Sequence, residues 1–335
     1  MTKRFFRWFG KALVAGLLAL LLLSLFCFFY SNVPVHYVNP TGATEYRWQA
    51  GRFYSRCTEG FSMGRTNNDG FNNLRDYTPG EQIDVLLMGS SHMEAFNVPQ
   101  DRSTASVLNG LFEGEKYVYS IGTSGHTLPY CVKHLGAALE TYVPRQYVLL
   151  ETVSLDLSPA DMDAAVEGTL TDIASNSGGL IGLLQQIPLL RLFYTKYFKT
   201  TLSFGDTEDM TTAPIVADSA AYARSLVSFV EAIGRESAAR DVQAVVVFNP
   251  AVGIAADGSL YTLTDPGQLE LFQRLCADHD VCFVDLTDTY MTAYREQHLL
   301  PSGFSNTAPA RGHLNTVGHQ LAAEALYAAI MAWEG

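Results

Sequence analysis

The sequence is poor in cysteine and in positive charge. Its 335 residues include 5 cysteines, and 22 Lys and Arg stand against 34 Asp and Glu, which gives a formal net charge of -12. Phosphate backbones bind basic surfaces, so this balance argues against a nucleic-acid-binding protein. The chain has no C-x-x-C pair, no His/Asp/Glu cluster with metal-ligand spacing and no phosphate-cradling glycine loop. We therefore expect no metal and no cofactor.

The same scarcity limits disulfide bonding. Cys27 lies in an apolar stretch, which leaves four cysteines for the rest of the chain. One or two disulfides fit an exported protein, and buried free thiols fit equally well.

Charge is missing altogether from residues 12–30, "ALVAGLLALLLLSLFCFFY". This run has about the 20 apolar residues that a membrane-spanning helix needs. Residues 1–11 carry four basic residues and no acid, which favours a cytoplasmic N-terminus and an exported remainder. A cleaved signal peptide is the alternative, but no small-x-small cleavage site follows. We predict an uncleaved single-pass anchor in the cell membrane, followed by a juxtamembrane linker at 31–80.

From residue 81 to 333, apolar runs alternate with helical stretches. The predicted strands are 83–89, 116–122, 146–151, 242–249 and 281–286, and the predicted helices are 101–112, 127–142, 217–239, 266–279 and 315–333. Strands apolar on both faces, alternating with helices, predict an α/β domain with a doubly wound parallel sheet. Residues 157–215 interrupt this alternation as a helical insertion, basic and aromatic in part. We expect a lid, a membrane-facing amphipathic helix or a helical hairpin packed on the core.

The stretch "IDVLLMGSSHMEAF", residues 83–96, places two serines directly after an apolar strand. Ligands bind beyond the carboxyl ends of parallel strands, and a serine in a strand-to-helix turn can attack a carbonyl while backbone N–H groups receive the oxyanion. The alternative is that the serines cap the following helix.

A histidine near the C-terminus suits the same chemistry. In "RGHLNTVGHQLAAEAL", His313 lies in a loop just before the last helix, from which it can return to the end of the first strand as general base. His319, six residues later, is predicted to cap or pack.

These blocks resemble those of the SGNH/GDSL hydrolases and acyltransferases, over roughly residues 81–333. "MGSSH" is similar to the first block, with Ser90 in place of the usual Asp and Ser91 at the nucleophile; "VYSIGTSGHT" is similar to the second, with Gly125 at the oxyanion glycine; "GHLNTVGH" is similar to the last, with His313 at the base. The resemblance implies a three-layer α/β/α, flavodoxin-like fold and an oxyanion hole formed by the backbone N–H groups of Ser91 and Gly125.

Two positions depart from the family pattern. Leu155 stands where the third block has an oxyanion asparagine, so Ser154 or Thr152 would have to supply the donor.

The acid that usually precedes the histidine by three residues is replaced by Ala310. Either a Ser–His dyad operates, or a carboxylate comes from another loop, and Asp285 and Asp288 after the fifth strand are the candidates.

The resemblance further suggests the class of substrate. An anchored extracellular chain with this block resembles bacterial proteins of D-alanyl-lipoteichoic-acid transfer and exopolysaccharide O-acetylation. We therefore expect a serine esterase or O-acyltransferase acting on acylated envelope glycan or glycolipid, with Ser90, His92 and His126 lining its pocket. The alternative is a catalytically silent scaffold that binds envelope polymer or a membrane acyltransferase partner.

Overall fold

The computed structural model describes residues 2–171, 187–193 and 219–335. The chain opens with a long helix, α1 (Thr2–Tyr30), and continues as short antiparallel strands. These are β1 (Ser31–Asn32), β2 (His36–Val38), β3 (Tyr46–Trp48), β4 (Phe53–Arg56) and β5 (Ser62–Arg65). β4 pairs with both β1 and β5, and β2 pairs with β3. The segment 31–80, predicted as a juxtamembrane linker, thus contains two small sheets.

Within the described residues, α1 is the one helix that is long and apolar enough to cross a membrane, a test that an N-terminal signal sequence also passes. Most of its large apolar side chains, from Phe5 to Phe26, are exposed. Its last turn is instead attached to the domain. Phe28 stacks on Phe53 at 5.0 Å, and the carbonyl of Tyr30 accepts the backbone N–H of Cys57 at 2.9 Å.

The rest of the chain builds an α/β domain. Its strands are β6 (Val85–Met88), β7 (Val118–Ser120), β8 (Tyr147–Thr152), β9 (Gln243–Phe248), β10 (Val252–Ile254), β11 (Leu260–Thr262) and β12 (Cys282–Asp285). Its helices are α2 (Ser91–Glu94), α3 (Thr104–Leu111), α4 (Leu128–Tyr142), α5 (Pro159–Val166), α6 (Pro188–Phe193), α7 (Ser219–Ala238), α8 (Pro266–Asp278), α9 (Thr287–Gln297) and α10 (Thr316–Glu334), with a 3-10 turn at Gln100–Arg102.

Five of these strands form one parallel sheet in the order β12–β9–β8–β6–β7. Each is apolar on both faces: Leu86 and Met88 pack toward α4, α7 and α8, whereas Val85 and Leu87 pack toward α3, α9 and α10. This is the doubly wound, flavodoxin-like strand order. All five strands are parallel, and successive strands are added on opposite sides of β6, so the winding of the sheet reverses between β6 and β8. The predicted α/β class, five strands and five helices are confirmed, with ends within three residues of the prediction.

The predicted helical insertion at 157–215 is described in part. It includes α5 and α6, and α6 packs against α1. Residues 172–186 and 194–215 lie outside the described residues.

Candidate active site

Ser91 is the first residue of α2, three residues beyond the last residue of β6. The preceding Ser90 is the N-cap, and its hydroxyl accepts the backbone N–H of His92 at 3.2 Å. The capping role weighed for the two serines therefore belongs to Ser90. Backbone N–H groups in a first helical turn have no acceptor within the helix, so the N–H of Ser91 is available to an incoming oxyanion.

His313 reaches back to this turn from the loop before α10. Its Nε2 lies 2.8 Å from Oγ of Ser91, at a separation of 222 residues along the chain. Asn315 holds the loop in place, since its side chain caps α10 and also donates to the carbonyls of Leu300 and Gly303. The structure thus brings together the two residues that the sequence paired.

The carboxylate beside His313 is Glu59, from the turn between β4 and β5. Its Oε2 lies 2.7 Å from Nδ1 of His313, and its Oε1 accepts the backbone N–H of His313 at 2.6 Å. Gly312 permits this approach: its φ is +78°, and a Cβ at that position would collide with Oε1 of Glu59. Ser91, His313 and Glu59 form a continuous hydrogen-bonded chain.

Two opposing effects act on the pKa of Glu59. Burial acts to raise it, but the hydrogen bonds and positive charge of His313, with the charge of Arg56, lower it below the ordinary value. An ionised carboxylate at Nδ1 holds the proton on that nitrogen and leaves Nε2 as the acceptor for the Ser91 hydroxyl.

This arrangement corrects the prediction of Asp285 or Asp288 as the acid. Oδ1 of Asp285 accepts the backbone N–H of Thr287 at 2.8 Å, and Asp288 lies in the first turn of α9. Ala310, in the usual place of the acid, is buried. Among the described residues, the carboxylate that contacts Nδ1 of His313 is therefore that of Glu59, from another loop.

Asn306 holds the turn that carries Glu59. Its side-chain oxygen accepts the N–H of Gly60 at 2.9 Å, and its Nδ2 donates to the carbonyls of Cys57 and Gly60 at 3.0 and 3.2 Å. These contacts bracket Glu59 on both sides, which fixes the carboxylate relative to the loop of His313.

A buried carboxylate supports the turn that carries Ser90 and Ser91. Glu151, at the end of β8, is fully buried; its Oε2 accepts the N–H of Ser90 and its Oε1 accepts Nδ2 of Asn249, both at 2.9 Å. The hydroxyl of Tyr290 completes the set by donating to Oδ1 of Asn249 at 2.9 Å. A Cβ on Gly89 would lie 2.7 Å from Oε2 of Glu151, so glycine is required for this contact. Burial raises the pKa of Glu151.

The loop of Gly125 is tied to the nucleophile turn. Gly125 adopts a φ of +84°, which favours glycine, in the loop between β7 and α4. The N–H of Thr123 donates to the carbonyl of Gly89 at 2.9 Å. Ser124 bonds through both its N–H and its hydroxyl to Glu94, whose Oε1 also accepts Nε1 of Trp48 at 2.6 Å. Burial raises the pKa of Glu94. The two predicted oxyanion donors therefore lie on segments that are bonded to each other.

The end of β8 is organised differently from the family pattern. Leu155 is buried in the core, and Ser154 forms a turn in which its hydroxyl accepts the N–H of Asp156 at 3.0 Å. The hydroxyl of Thr152 donates to the carbonyl of Ser154 at 2.7 Å. A role for Ser154 as a third oxyanion donor stays a prediction.

The other histidines have supporting contacts. Nδ1 of His92 accepts the N–H of Leu314 at 3.2 Å, and burial and neighbouring imidazoles lower its pKa to about 3, so His92 is a neutral support for the loop of His313. His126, predicted to line the pocket, is buried between Tyr46 and the ring of Tyr130.

No protein-family model and no curated protein matches the chain. Solved structures do. An esterase from Pseudoalteromonas sp. is 14% identical, with a TM-score of 0.36 and coverage of 75% of this chain and 98% of that one. A lipolytic G-D-S-L family protein from Veillonella parvula is 15% identical, with a TM-score of 0.38 and coverage of 74% and 98%. An acetyl xylan esterase is also 15% identical, with a TM-score of 0.40 and coverage of 74% and 100%. Two of these neighbours are thus named as esterases and one as a lipolytic G-D-S-L family protein.

Proposed function

We propose that this chain is a serine esterase or O-acyltransferase. One observation carries the proposal: Ser91 Oγ, His313 and the Glu59 carboxylate are linked by contacts of 2.8 and 2.7 Å, beyond the carboxyl ends of a parallel sheet. An imidazole between a hydroxyl and a carboxylate is the arrangement that activates a serine for acyl transfer.

In the proposed reaction, Ser91 Oγ attacks the carbonyl carbon of an acyl ester and passes its proton to Nε2 of His313. Backbone N–H groups of Ser91 and Gly125 receive the oxyanion. Collapse of the tetrahedral intermediate breaks the ester C–O bond, and His313 protonates the departing alcohol. Water or a sugar hydroxyl then gives its proton to His313 and attacks the acyl-serine, and the proton returns to Ser91.

We further propose that α1 anchors the protein in the cell membrane, with residues 1–11 in the cytoplasm and the domain outside. The N–H of Cys57 donates to the carbonyl of Tyr30 at the end of α1, and Glu59 follows two residues later, a distance of at most about 7 Å along the chain. The candidate site is therefore held next to the end of the apolar helix. This supports an acyl ester carried by envelope glycan or glycolipid at the membrane, with a membrane acyltransferase as a candidate partner.

The catalytically silent scaffold is the competing function, and Ala310, Leu155 and the basic aromatic insertion favour it. The contact of Glu59 with His313 answers the first of these, because it supplies a carboxylate where Ala310 has none. A turnover assay with a short acyl ester, with and without a sugar acceptor, distinguishes the two functions. If the protein is an enzyme, Ser91→Ala and His313→Ala should each lower the turnover rate by several orders of magnitude. Equal rates in wild type and both variants would leave the scaffold as the better account. Release of free acid distinguishes hydrolysis from transfer to the sugar.

A further inference from the structure

Two half-buried arginines carry guanidinium nitrogens that lack a hydrogen-bond partner among the described residues. Nε of Arg56 and Nη1 of Arg191 are buried and, over 2–171, 187–193 and 219–335, have no hydrogen-bond partner. Neither guanidinium forms an ion pair with a carboxylate in those ranges. Nearly all buried polar groups in folded proteins are hydrogen-bonded, so both side chains need an explanation.

The two arginines lie on segments that meet at the end of α1. Arg56 is the last residue of β4 and pairs with Ser31 of β1, while α6, which carries Arg191, packs against both α1 and β1. Burial and the charge of Arg56 lower the pKa of Arg191 to about 10. The charge of Arg56 is also among the effects that lower the pKa of Glu59. The charge of Arg56 thus acts both on the Glu59 carboxylate and on the like charge of Arg191.

The charge of Arg56 acts on the carboxylates of Glu59 and Glu94, but the hydrogen bonds of both carboxylates go to other groups. Both oxygens of Glu59 bind His313, and both oxygens of Glu94 bind Ser124 or Trp48. An unsatisfied buried donor is energetically costly, and more so when it is charged. Buried charges are retained where an opposite charge pairs with them. A guanidinium presents its donors in a planar fork that fits the oxygens of a phosphate group two at a time.

We propose that Arg56 and Arg191 form a phosphate-binding site near Glu59, at the membrane end of the domain. The phosphate belongs to a lipid headgroup or to a soluble phosphate ester. The assignment of this site to a phosphate group of the substrate rests on the proposed function. The binding of an anion at this site does not depend on that function.

The test uses the full chain in a neutral detergent, titrated with inorganic phosphate in a calorimeter. Wild type should bind saturably, and Arg56→Gln and Arg191→Gln should each weaken binding at least about tenfold, or ~1.4 kcal/mol. Arg274→Gln, at an exposed position of α8, is the matched control and should bind like wild type. Arg56→Lys keeps the positive charge but loses the planar guanidinium, so its phosphate affinity should lie between those of wild type and Arg56→Gln. It replaces Arg56→Gln in the test if that variant does not fold. Unsaturable binding by wild type, or equal binding by all variants, overturns the proposal.

The source of the phosphate is distinguished by native mass spectrometry from micelles that contain phosphatidylglycerol. A lipid adduct that inorganic phosphate displaces, and that Arg191→Gln loses but Arg274→Gln keeps, assigns the site to a headgroup. Saturable phosphate binding without that adduct assigns it to a soluble ester. Ser91→Ala should bind phosphate like wild type, because its hydroxyl is not part of the site. Loss of ester turnover and loss of phosphate binding are thus independent results.

Discussion

Replacement of Glu59 by Gln tests the most unexpected residue of the candidate site. In the structure, one oxygen of Glu59 receives the backbone N–H of His313 and the other receives Nδ1. A glutamine has one oxygen for these two donors, so its NH2 group must face one of them. If it faces Nδ1, the imidazole moves its proton to Nε2, where it can no longer accept the proton of Ser91.

The lost charge sets the size of the effect. At a separation of ~4 Å and an effective dielectric constant of ~20, the attraction between the carboxylate and the imidazolium formed during reaction is about 4 kcal/mol. That corresponds to about 10³-fold in rate. Loss of the correct tautomer raises the expected penalty toward the ~10⁴-fold seen when a triad acid is neutralised. We therefore expect kcat for a short acyl ester to fall by about 10³–10⁴, with KM little changed.

The assay compares steady-state ester turnover in wild type and Glu59→Gln, with thermal melting as the control for folding. Asp285→Asn and Asp288→Asn are matched controls that remove a carboxylate at the positions favoured by the sequence. Each should lower the rate by less than about tenfold. A Glu59→Gln enzyme within tenfold of wild type, or a large loss in either aspartate variant, would refute the assignment.

The remaining predictions concern other parts of the molecule. Ser90→Ala should keep covalent labelling by a fluorophosphonate, since Ser90 serves as the cap; loss of labelling would shift the nucleophile assignment. Asn306→Ala removes the bonds that bracket Glu59, so kcat should fall about 10–100-fold at constant KM, equivalent to ~1–3 kcal/mol; a change in KM alone would argue against that role. Burial and His313 lower the pKa of His319 to about 3. Because the unfolded chain binds this proton near ~6.5, the free energy of unfolding should drop by ~2 kcal/mol through His319 between pH 7 and pH 5, and His319→Gln should remove that drop in urea titrations. A pH dependence identical in the variant would contradict this. Protease added to intact cells should digest the domain, and full protection would overturn the topology.

The fold was readable from the sequence because its signals are local. Strands buried on both faces appear as short apolar runs, such as "VQAVVVFN", and the helices between them start at recognisable caps. Asp265, for example, caps α8 and is followed by Pro266 at the first helical position. Strand and helix alternation then constrains the topology, because parallel crossovers have one hand.

The acid of the site was not readable, because nothing local marks it. Glu59 lies 254 residues before His313 in a segment whose short strands lack a strong hydrophobic period. Only the tertiary contact of the β4–β5 turn with the loop of His313 identifies it. Glu151 did carry a signal: it is the charged residue at the end of an otherwise apolar strand, where a buried acid needs specific partners.

The most direct test of the central claim is to identify the labelled residue after treatment of the full chain with a fluorophosphonate. We expect a single adduct, mapped by mass spectrometry of peptides to Ser91. The adduct should be lost in His313→Ala and should form much more slowly in Glu59→Gln. No adduct on wild type, or an adduct on another residue that persists in His313→Ala, would contradict the claim that Ser91 is an activated nucleophile.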